Sequence, residues 1–257
     1  MTNRKVQMPL VLLALLVMTT GCGGGGGGWD LPTGPFEIDP PEAVDPGGIW
    51  IGTVESPDMV AAIGISTSAG ELRFVDDRGV SFFAQVQQIG YSFVTPDASL
   101  FAAPGSVLSS GSSVVNGPVE AAIYEQEAIG MDVLIDTDDV LLFQARYSEI
   151  HRRNSSLARI SDTWRDDSGT TYTIDADGSI FGQNASGCVY DGQISLIDVD
   201  YNVYRVEINT SSCQEEDGSF SGLGALFDNA EAGENGRFVF LGSEAGIKAL
   251  TLDLTRT

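Results

Sequence analysis

The chain has 257 residues, of which 36 are Asp or Glu and only 13 are Lys or Arg, giving a net charge of −23 at neutral pH. A surface this acidic repels phosphate groups, so the composition excludes nucleic-acid binding and excludes attachment to anionic lipids through a basic patch. The length allows one large β domain or two domains of about 100 residues each, and we predict two.

The first 21 residues have the three parts of an export signal. Arg4 and Lys5 precede an apolar run at residues 8–18, and Thr19, Thr20 and Gly21 follow it. The apolar run is too short to span a bilayer comfortably, which favours a cleaved signal peptide over a transmembrane helix. We therefore expect residues 1–21 to be removed and the remainder to leave the cytoplasm.

Cys22 directly after Gly21 resembles the lipobox of bacterial lipoproteins, although Thr19 stands where leucine is usual. The resemblance implies that the Cys22 thiol receives diacylglycerol and that the new amino terminus is acylated. Several acyl chains, palmitate among them, would hold the protein firmly on a membrane. Gly23 in place of an aspartate resembles the sorting pattern of the bacterial outer membrane. The alternative is an ordinary secreted protein with a free thiol.

Residues 22–47 are predicted to form a flexible tether. Six glycines at residues 23–28 are followed by an acidic, proline-rich stretch. Glycine favours a random coil and proline stiffens the chain, so about 25 residues would hold the body roughly 30 Å from the membrane.

From residue 48 onward the pattern predicts β-structure, because runs of alternating or β-branched residues are separated by Gly, Asp and Asn turns. No helix is predicted. The first β module, residues 48–148, is predicted to have strands at 49–54, 60–66, 71–75, 80–87, 92–95, 119–125, 131–135 and 140–148. Part of the stretch 96–116 is predicted to be a long loop, with a weak strand near residues 112–115.

A junction at residues 149–160 is predicted to lead into the second β module, residues 161–257. Its predicted strands are 170–175, 179–183, 187–198, 203–209, 219–228, 237–242 and 248–255. Each module opens near a tryptophan, Trp50 or Trp164, and ends in an apolar strand before an arginine, Arg146 or Arg256. We interpret this likeness as a divergent internal duplication.

Seven or eight short antiparallel strands in 100 residues bury one face by closing into a barrel or folding into a sandwich. We therefore predict an all-β fold, with two small antiparallel β-barrel or sandwich modules after the disordered, lipidated tether. Gly48-Ile49-Trp50 resembles the Gly-x-Trp that begins lipocalin-type barrels. Trp50 and Trp164 are therefore candidate ligand-binding residues, and ordinary core positions are the alternative.

A longer resemblance begins at the end of the first module. Tyr147, the run Ser155-Ser156-Leu157-Ala158, Trp164 and the turn Ser186-Gly187-Cys188 are similar to a group of uncharacterised Gram-negative lipoproteins, although Asp162 stands where glycine is usual. The resemblance implies an envelope location and a β body. It implies no activity.

Cys188 and Cys213 remain as a pair once Cys22 carries lipid. In an oxidising compartment they can form a disulfide, and closing that loop would contribute roughly 3 kcal/mol by the chain-entropy model. Zinc is the alternative, although two cysteines without nearby histidines make a poor zinc site.

Few residues are candidates for catalysis. His151, the one histidine, lies in the predicted junction, and the sequence has no Gly-x-Ser-x-Gly elbow for a Ser-His-Asp triad. The carboxylate pairs Asp76-Asp77 and Asp138-Asp139 are expected in turns. We predict no catalytic residue, no resident metal and no cofactor.

Calcium is the alternative to simple turn formation at two places. Asp175-x-Asp177 and Asp198-x-Asp200-x-Asn202 put oxygen atoms at alternate positions. Neither is followed by the glutamate that completes an EF-hand loop, and Asp-Gly turn chemistry explains the first without calcium.

Three functions are compatible with these features. The first is an outer-membrane lipoprotein that binds an envelope protein or polymer and is not an enzyme, as tethered β modules present loops and edges to partners. The second is a lipocalin-like carrier of a small apolar ligand, and the third is a carboxylate-based hydrolase.

Overall fold

The computed structural model describes residues 44–257, apart from residues 57, 90–91, 125 and 135–139. The all-β prediction is confirmed, since the described chain forms two antiparallel sheets joined by a short irregular segment. The described residues belong to one compact unit. Among the described residues, no helix has the length and apolar character needed to cross a membrane.

The first sheet contains nine strands. They are β1 (Gly48–Ser56), β2 (Asp58–Ser66), β3 (Glu71–Asp76), β4 (Ser81–Gln85), β5 (Gln87–Ile89), β6 (Ser92–Phe101), β7 (Val114–Tyr124), β8 (Ala128–Leu134) and β9 (Val140–Tyr147). β1 pairs with both β2 and β9, and β4 pairs with both β3 and β6. The pairings therefore run around a circuit of eight strands, to which the short β5 adds beside β6.

The second sheet is a closed barrel. It consists of β10 (Asp162–Arg165), β11 (Thr171–Ile174), β12 (Ser179–Gln183), β13 (Val189–Leu196), β14 (Tyr204–Ser211), β15 (Gly218–Asn229), β16 (Gly233–Glu244) and β17 (Lys248–Arg256). Each strand pairs with the next, and β10 pairs with β17 to close the ring. This arrangement is an up-and-down barrel, one of the two forms that the sequence predicts.

Three local predictions are wrong. The strand predicted at 92–95 is longer than expected, because β6 continues to Phe101; Pro96 is tolerated at a register shift between Thr95 and Ala98. β10 is a strand that the sequence analysis did not predict, since its four residues are too short for a periodic signal. The segment between the sheets contains one helical turn, α1 (Leu157–Ile160), with Ser156 as its N-cap.

The same tight turn recurs in both sheets. In the β3–β4 turn the Gly79 N–H donates to Asp76 O, and in the β11–β12 turn the Gly178 N–H donates to Asp175 O. Both glycines have positive φ, +90° and +87°. This conformation is accessible to glycine without steric cost, so the shared turn depends on that residue.

The interiors of both sheets are filled by side chains. Trp50, Leu72, Phe74, Phe82 and Phe143 are buried inside the first sheet. The barrel interior is packed mainly with aromatic and aliphatic residues: Trp164, Tyr172, Ile174, Ile180, Ile194, Tyr204, Val206, Ile208, Phe238, Phe240 and Leu254. Inward and outward positions alternate along each strand, as the pleat requires.

Outward-facing apolar side chains join the two sheets. Ile49, Ile65, Val75, Phe83 and Phe101 of the first sheet form one buried cluster with Val203, Leu223, Ala225, Phe227, Val239 and Leu241 of the barrel. Residues 222–227 of β15 and 238–242 of β16 are consequently buried on both faces of the barrel wall. A strand buried on both faces loses the alternating pattern of a half-exposed one.

Candidate binding cleft between the two sheets

A cleft of about 270 Å³ opens where the first sheet, the segment between the sheets and the barrel meet. One wall is the β2–β3 turn, which contributes Thr67, Ser68 and Ala69. The 3₁₀ turn Glu149–Arg152 contributes His151. The opposite wall is the β13–β14 loop at residues 197–203, together with Arg205 at the start of β14.

His151 lies at the base of the cleft and is only 5% exposed. Its Nδ1 is 2.9 Å from the Tyr147 hydroxyl, and its ring stacks on Tyr201 with centroids 4.7 Å apart. Its Nε2 makes no hydrogen bond to the described residues and is not among their fully buried unpaired atoms, so it keeps some solvent exposure.

The imidazole is neutral at physiological pH. Burial lowers the pKa of His151 to about 4, because the charged ring would lose its hydration, and Arg152 adds to this effect. Asp45 and Asp198 act in the opposite direction, since their negative charges favour a proton on the ring. The field from these two carboxylates therefore favours positive charge beside His151, although the ring itself does not carry it.

Backbone and side-chain hydrogen bonds hold the β13–β14 loop. The Ser155 N–H donates to Val199 O, and the Ser155 hydroxyl donates to Asp198 O at 2.8 Å. The Asn202 side chain is buried, donates to Leu226 O and accepts from the Leu226 N–H. The loop consequently keeps its shape although Ile197 is 41% and Val199 is 56% exposed.

The chain enters the first sheet along the edge of the cleft. The Ser68 hydroxyl donates to Asp45 Oδ2 at 3.0 Å, and the Gly47 N–H donates to Asp45 Oδ1 at 2.8 Å. Ser66 accepts from the Trp50 indole and donates to Pro46 O. These bonds fix the carboxylate of Asp45 beside the wall of the cleft.

Arg205 is the positively charged residue of the cleft lining. Glu71 forms ion pairs with Arg205 at 2.6 Å and with Arg73 at 2.8 Å. Burial raises the pKa of the Glu71 carboxyl, but the two arginines more than compensate and the net pKa is lowered. One carboxylate thus serves two guanidinium groups, which leaves an excess of positive charge at Arg205.

Asp198 is the negatively charged residue of the lining. Neither Asp45 nor Asp198 forms an ion pair with any residue that the structure describes. Asp198 Oδ1 accepts from the Asp200 N–H at 2.9 Å, and this bond fixes the orientation of the carboxylate. Ala69, Ile197 and Val203 give the lining its apolar surface.

The two predicted candidate tryptophans lie inside the sheets rather than in the cleft. Trp50 and Trp164 are both 0% exposed. The Trp50 indole donates to Ser66 Oγ at 2.8 Å, and the Trp164 indole donates to Ile160 O at 2.9 Å. Each indole N–H is thus satisfied by the protein itself, as a core tryptophan requires.

The described residues of the first sheet line one small interior cavity. A cavity of about 10 Å³ in the first sheet is lined by Phe82, Ala98, Leu100, Val115, Gly117, Val119 and Val133. A cavity of that size is at the lower limit for a single water molecule. It offers no room for an apolar ligand.

The predicted disulfide is present, joining Cys188 to Cys213 across the β12–β13 and β14–β15 ends of the barrel. Cys22 lies outside the described residues, so its lipidation stays a prediction. The pair Asp138-Asp139 also lies outside them. Asp76 is buried and accepts from the Arg78 and Val80 N–H groups, as expected for a turn carboxylate.

The two proposed calcium sequences make local hydrogen bonds. Asp177 accepts from the Ser179 N–H at 3.0 Å. Asp198 accepts from the Asp200 N–H, and Asn202 points into the barrel wall rather than toward them. Over the described ranges, no three His, Cys, Asp or Glu side chains come together as metal ligands.

Sequence analysis did not identify the cleft. Ile197, Tyr201 and Arg205 come from the β13–β14 region, which is distant in sequence from Asp45 and Ala69. One local signal was available, since Leu196-Ile197-Asp198-Val199 places apolar residues where a turn is expected to be polar.

Comparisons with protein-family models, with curated proteins and with solved structures found no match for this chain. The resemblance to Gram-negative lipoproteins and to lipocalin-type barrels therefore stays a prediction from the residues quoted above.

Proposed function

We propose that this protein is a lipid-anchored, non-enzymatic binding protein of the bacterial outer membrane, and that the cleft between its two sheets is the binding site. Lipid on Cys22 would attach the protein to the membrane, and the tether would give the body freedom to reach its ligand.

The observation that carries the proposal is the location of open space in the molecule. In the part of the chain that the structure describes, side chains pack together inside both sheets, whereas a cleft of about 270 Å³ opens at their meeting point. Clefts between structural units, with apolar walls and a few polar groups, are the usual sites for small ligands. This geometry favours binding at the cleft over carriage of an apolar ligand inside a barrel.

The anchor is tested by metabolic labelling with a palmitate analogue and by fractionation. We expect the wild-type protein to be labelled and to sediment with outer membranes, and the Cys22→Ala variant to be unlabelled and to be lost from them. An unlabelled wild-type protein, or unchanged fractionation of the variant, would refute the anchor.

The binding role is tested by pull-down from solubilised outer membranes with the full-length protein and a variant with a blocked cleft. Ala69 is exposed at the rim, so Ala69→Trp fills the cleft without disturbing a core. Ala176→Trp, in an exposed turn of the barrel, is the matched control. We expect wild type and control to retain the same molecule and Ala69→Trp to lose it; retention by all three would exclude the cleft.

A further inference from the structure

The residues that line the cleft carry both signs of charge. Arg205 shares Glu71 with Arg73, so its positive charge is only partly neutralised. Asp198 also lines the cleft, and neither Asp198 nor Asp45 has a cationic partner among the described residues. A ligand that neutralises both Arg205 and Asp198 needs one negative and one positive group.

The other residues that line the cleft are uncharged. His151 is neutral, its Nε2 has no hydrogen-bond partner among the described residues, and the ring is held in place by Tyr147 and Tyr201. Ala69, Ile197 and Val203 supply apolar surface. A ligand in this position would contact one hydrogen-bonding imidazole and an apolar wall large enough for a small aliphatic side chain.

The charge of the whole protein restricts the ligand further. With a net charge of −23, the protein repels simple anions at long range, so Arg205 alone would not attract a free carboxylate. A zwitterion has no net charge and is not repelled. Its ammonium group would lie in the region where Asp45 and Asp198 already favour positive charge beside His151.

From this arrangement we infer that the cleft binds a free amino acid or very short peptide, with its ammonium group at Asp198 and its carboxylate at Arg205. The inference rests on the proposed function, because it names the ligand class of the same cleft. Asp198 Oδ2 remains available to the ammonium group, since only Oδ1 accepts from the Asp200 N–H. The planar guanidinium of Arg205 suits a carboxylate.

The ligand class is tested by calorimetry at pH 7 on the full-length protein in detergent. Leucine carries both charges and an aliphatic side chain, leucinamide lacks the carboxylate, and N-acetylleucine lacks the ammonium group. We expect leucine to bind at least about tenfold more tightly than either derivative, since each lost group removes a charge-assisted hydrogen bond. Equal affinities for the three compounds would overturn the inference.

Two variants test the orientation of the ligand. Arg205→Met removes one guanidinium while Arg73 still neutralises Glu71, and we expect it to abolish the preference for leucine over leucinamide. Asp198→Asn keeps the acceptor for the Asp200 N–H, and we expect it to abolish the preference for leucine over N-acetylleucine. Asp191→Asn, exposed on β13, is the control and should change neither ratio. Thermal unfolding of each variant confirms that it is folded.

Phosphoethanolamine tests whether the ligand is an amino acid or a zwitterionic lipid headgroup. It carries a phosphate in place of the carboxylate and has no aliphatic side chain. We expect it to bind more weakly than leucine, and tighter binding would overturn the assignment.

The ligand class and the proposed function can fail separately. If Ala69→Trp abolishes the pull-down but leucine binds no more tightly than its two derivatives, the ligand class is wrong and the proposed function stands. If the pull-down does not depend on the cleft, the proposed function itself fails.

Discussion

The first sheet and the barrel have similar strand arrangements but bury different parts of their outer faces. Both run around eight antiparallel strands and begin at a buried tryptophan that pairs with the last strand. Trp50 lies opposite Tyr147, and their rings meet edge to face at 5.8 Å. Trp164 lies opposite Arg256, whose guanidinium is 4.8 Å from the ring centroid. By register, the counterpart of Arg256 is therefore Tyr147 rather than the predicted Arg146.

The outer faces show the largest difference. In β4, Phe82 points into the first sheet and Phe83 packs outward against the barrel. In β12, Ile180 points into the barrel and Phe181 points outward, but Phe181 is 55% exposed whereas Phe83 is 4% exposed. The two sheets therefore contact each other through different strands, since the barrel uses β15 and β16, together with Val203, instead. A similar order of strands does not by itself specify which face becomes the interface.

The largest expected effect comes from the outward phenylalanines. Phe83→Ala removes a buried ring that packs on Phe101 and under the Arg73 guanidinium, and we expect it to cost about 4 kcal/mol of unfolding free energy. Phe181→Ala, the matched control, should cost less than about 0.5 kcal/mol. Denaturant unfolding measures both. Similar costs for the two changes would contradict the assigned interface.

The disulfide is a second difference between the first sheet and the barrel, because both of its cysteines belong to the barrel. Replacing Cys188 and Cys213 together by alanine frees a loop of 25 residues, and we expect a loss of about 3 kcal/mol. Calorimetric melting under non-reducing conditions measures it. Reduction of the wild type should reproduce the lower melting temperature, and a melting temperature insensitive to both treatments would contradict a structural role.

The unfolding free energy should depend on pH through His151, which lies in the segment between the sheets. Burial holds the folded-state pKa of His151 at about 4, below the ordinary value of 6.5. Between these pH values the unfolded chain binds a proton that the folded chain excludes. The neutral, buried imidazole therefore contributes fully to stability above about pH 6.5. As the pH falls toward 4, about 3 kcal/mol of this contribution is lost.

The measurement compares unfolding of the wild type and of His151→Gln at pH 7 and pH 4.5. The carboxylates that titrate in this range are common to both proteins, so the difference isolates His151. We expect the wild type to lose more stability on acidification than the variant. An equal loss would show that the imidazole is not buried as a neutral group.

The smallest effect concerns the shared turn. Gly178→Ala strains a residue at φ +87° and would place a Cβ 2.2 Å from Ile194 O, so we expect a cost of about 2 kcal/mol or more. Gly79→Ala strains a similar φ, but its nearest neighbour is Pro104 Cδ at 3.2 Å, so about 1 kcal/mol is expected. Thermal unfolding ranks the two. The reverse order would contradict the tighter docking of the barrel turn.

Local patterns were sufficient for much of the fold. Alternation along β11, where Tyr172 and Ile174 are buried and Thr171 and Thr173 are exposed, predicts a half-exposed strand directly. The Asp-Gly turn before β12 and the disulfide were also predictable, because turn chemistry and cysteine parity are local or compositional. β10 and the extension of β6 past Pro96 were not, because strand pairing rather than propensity stabilises them.

The sequence by itself determined that the body is antiparallel β-structure and that Cys188 pairs with Cys213. Only the tertiary structure decided that Trp50 and Trp164 are core residues and that the outer faces of the two sheets pack together. It also brought Asp45, His151, Asp198 and Arg205 around one cleft. The physical reason is that periodicity reports which side of a strand is buried, whereas the partner that buries it and the loops it brings together depend on contacts between residues far apart in the chain.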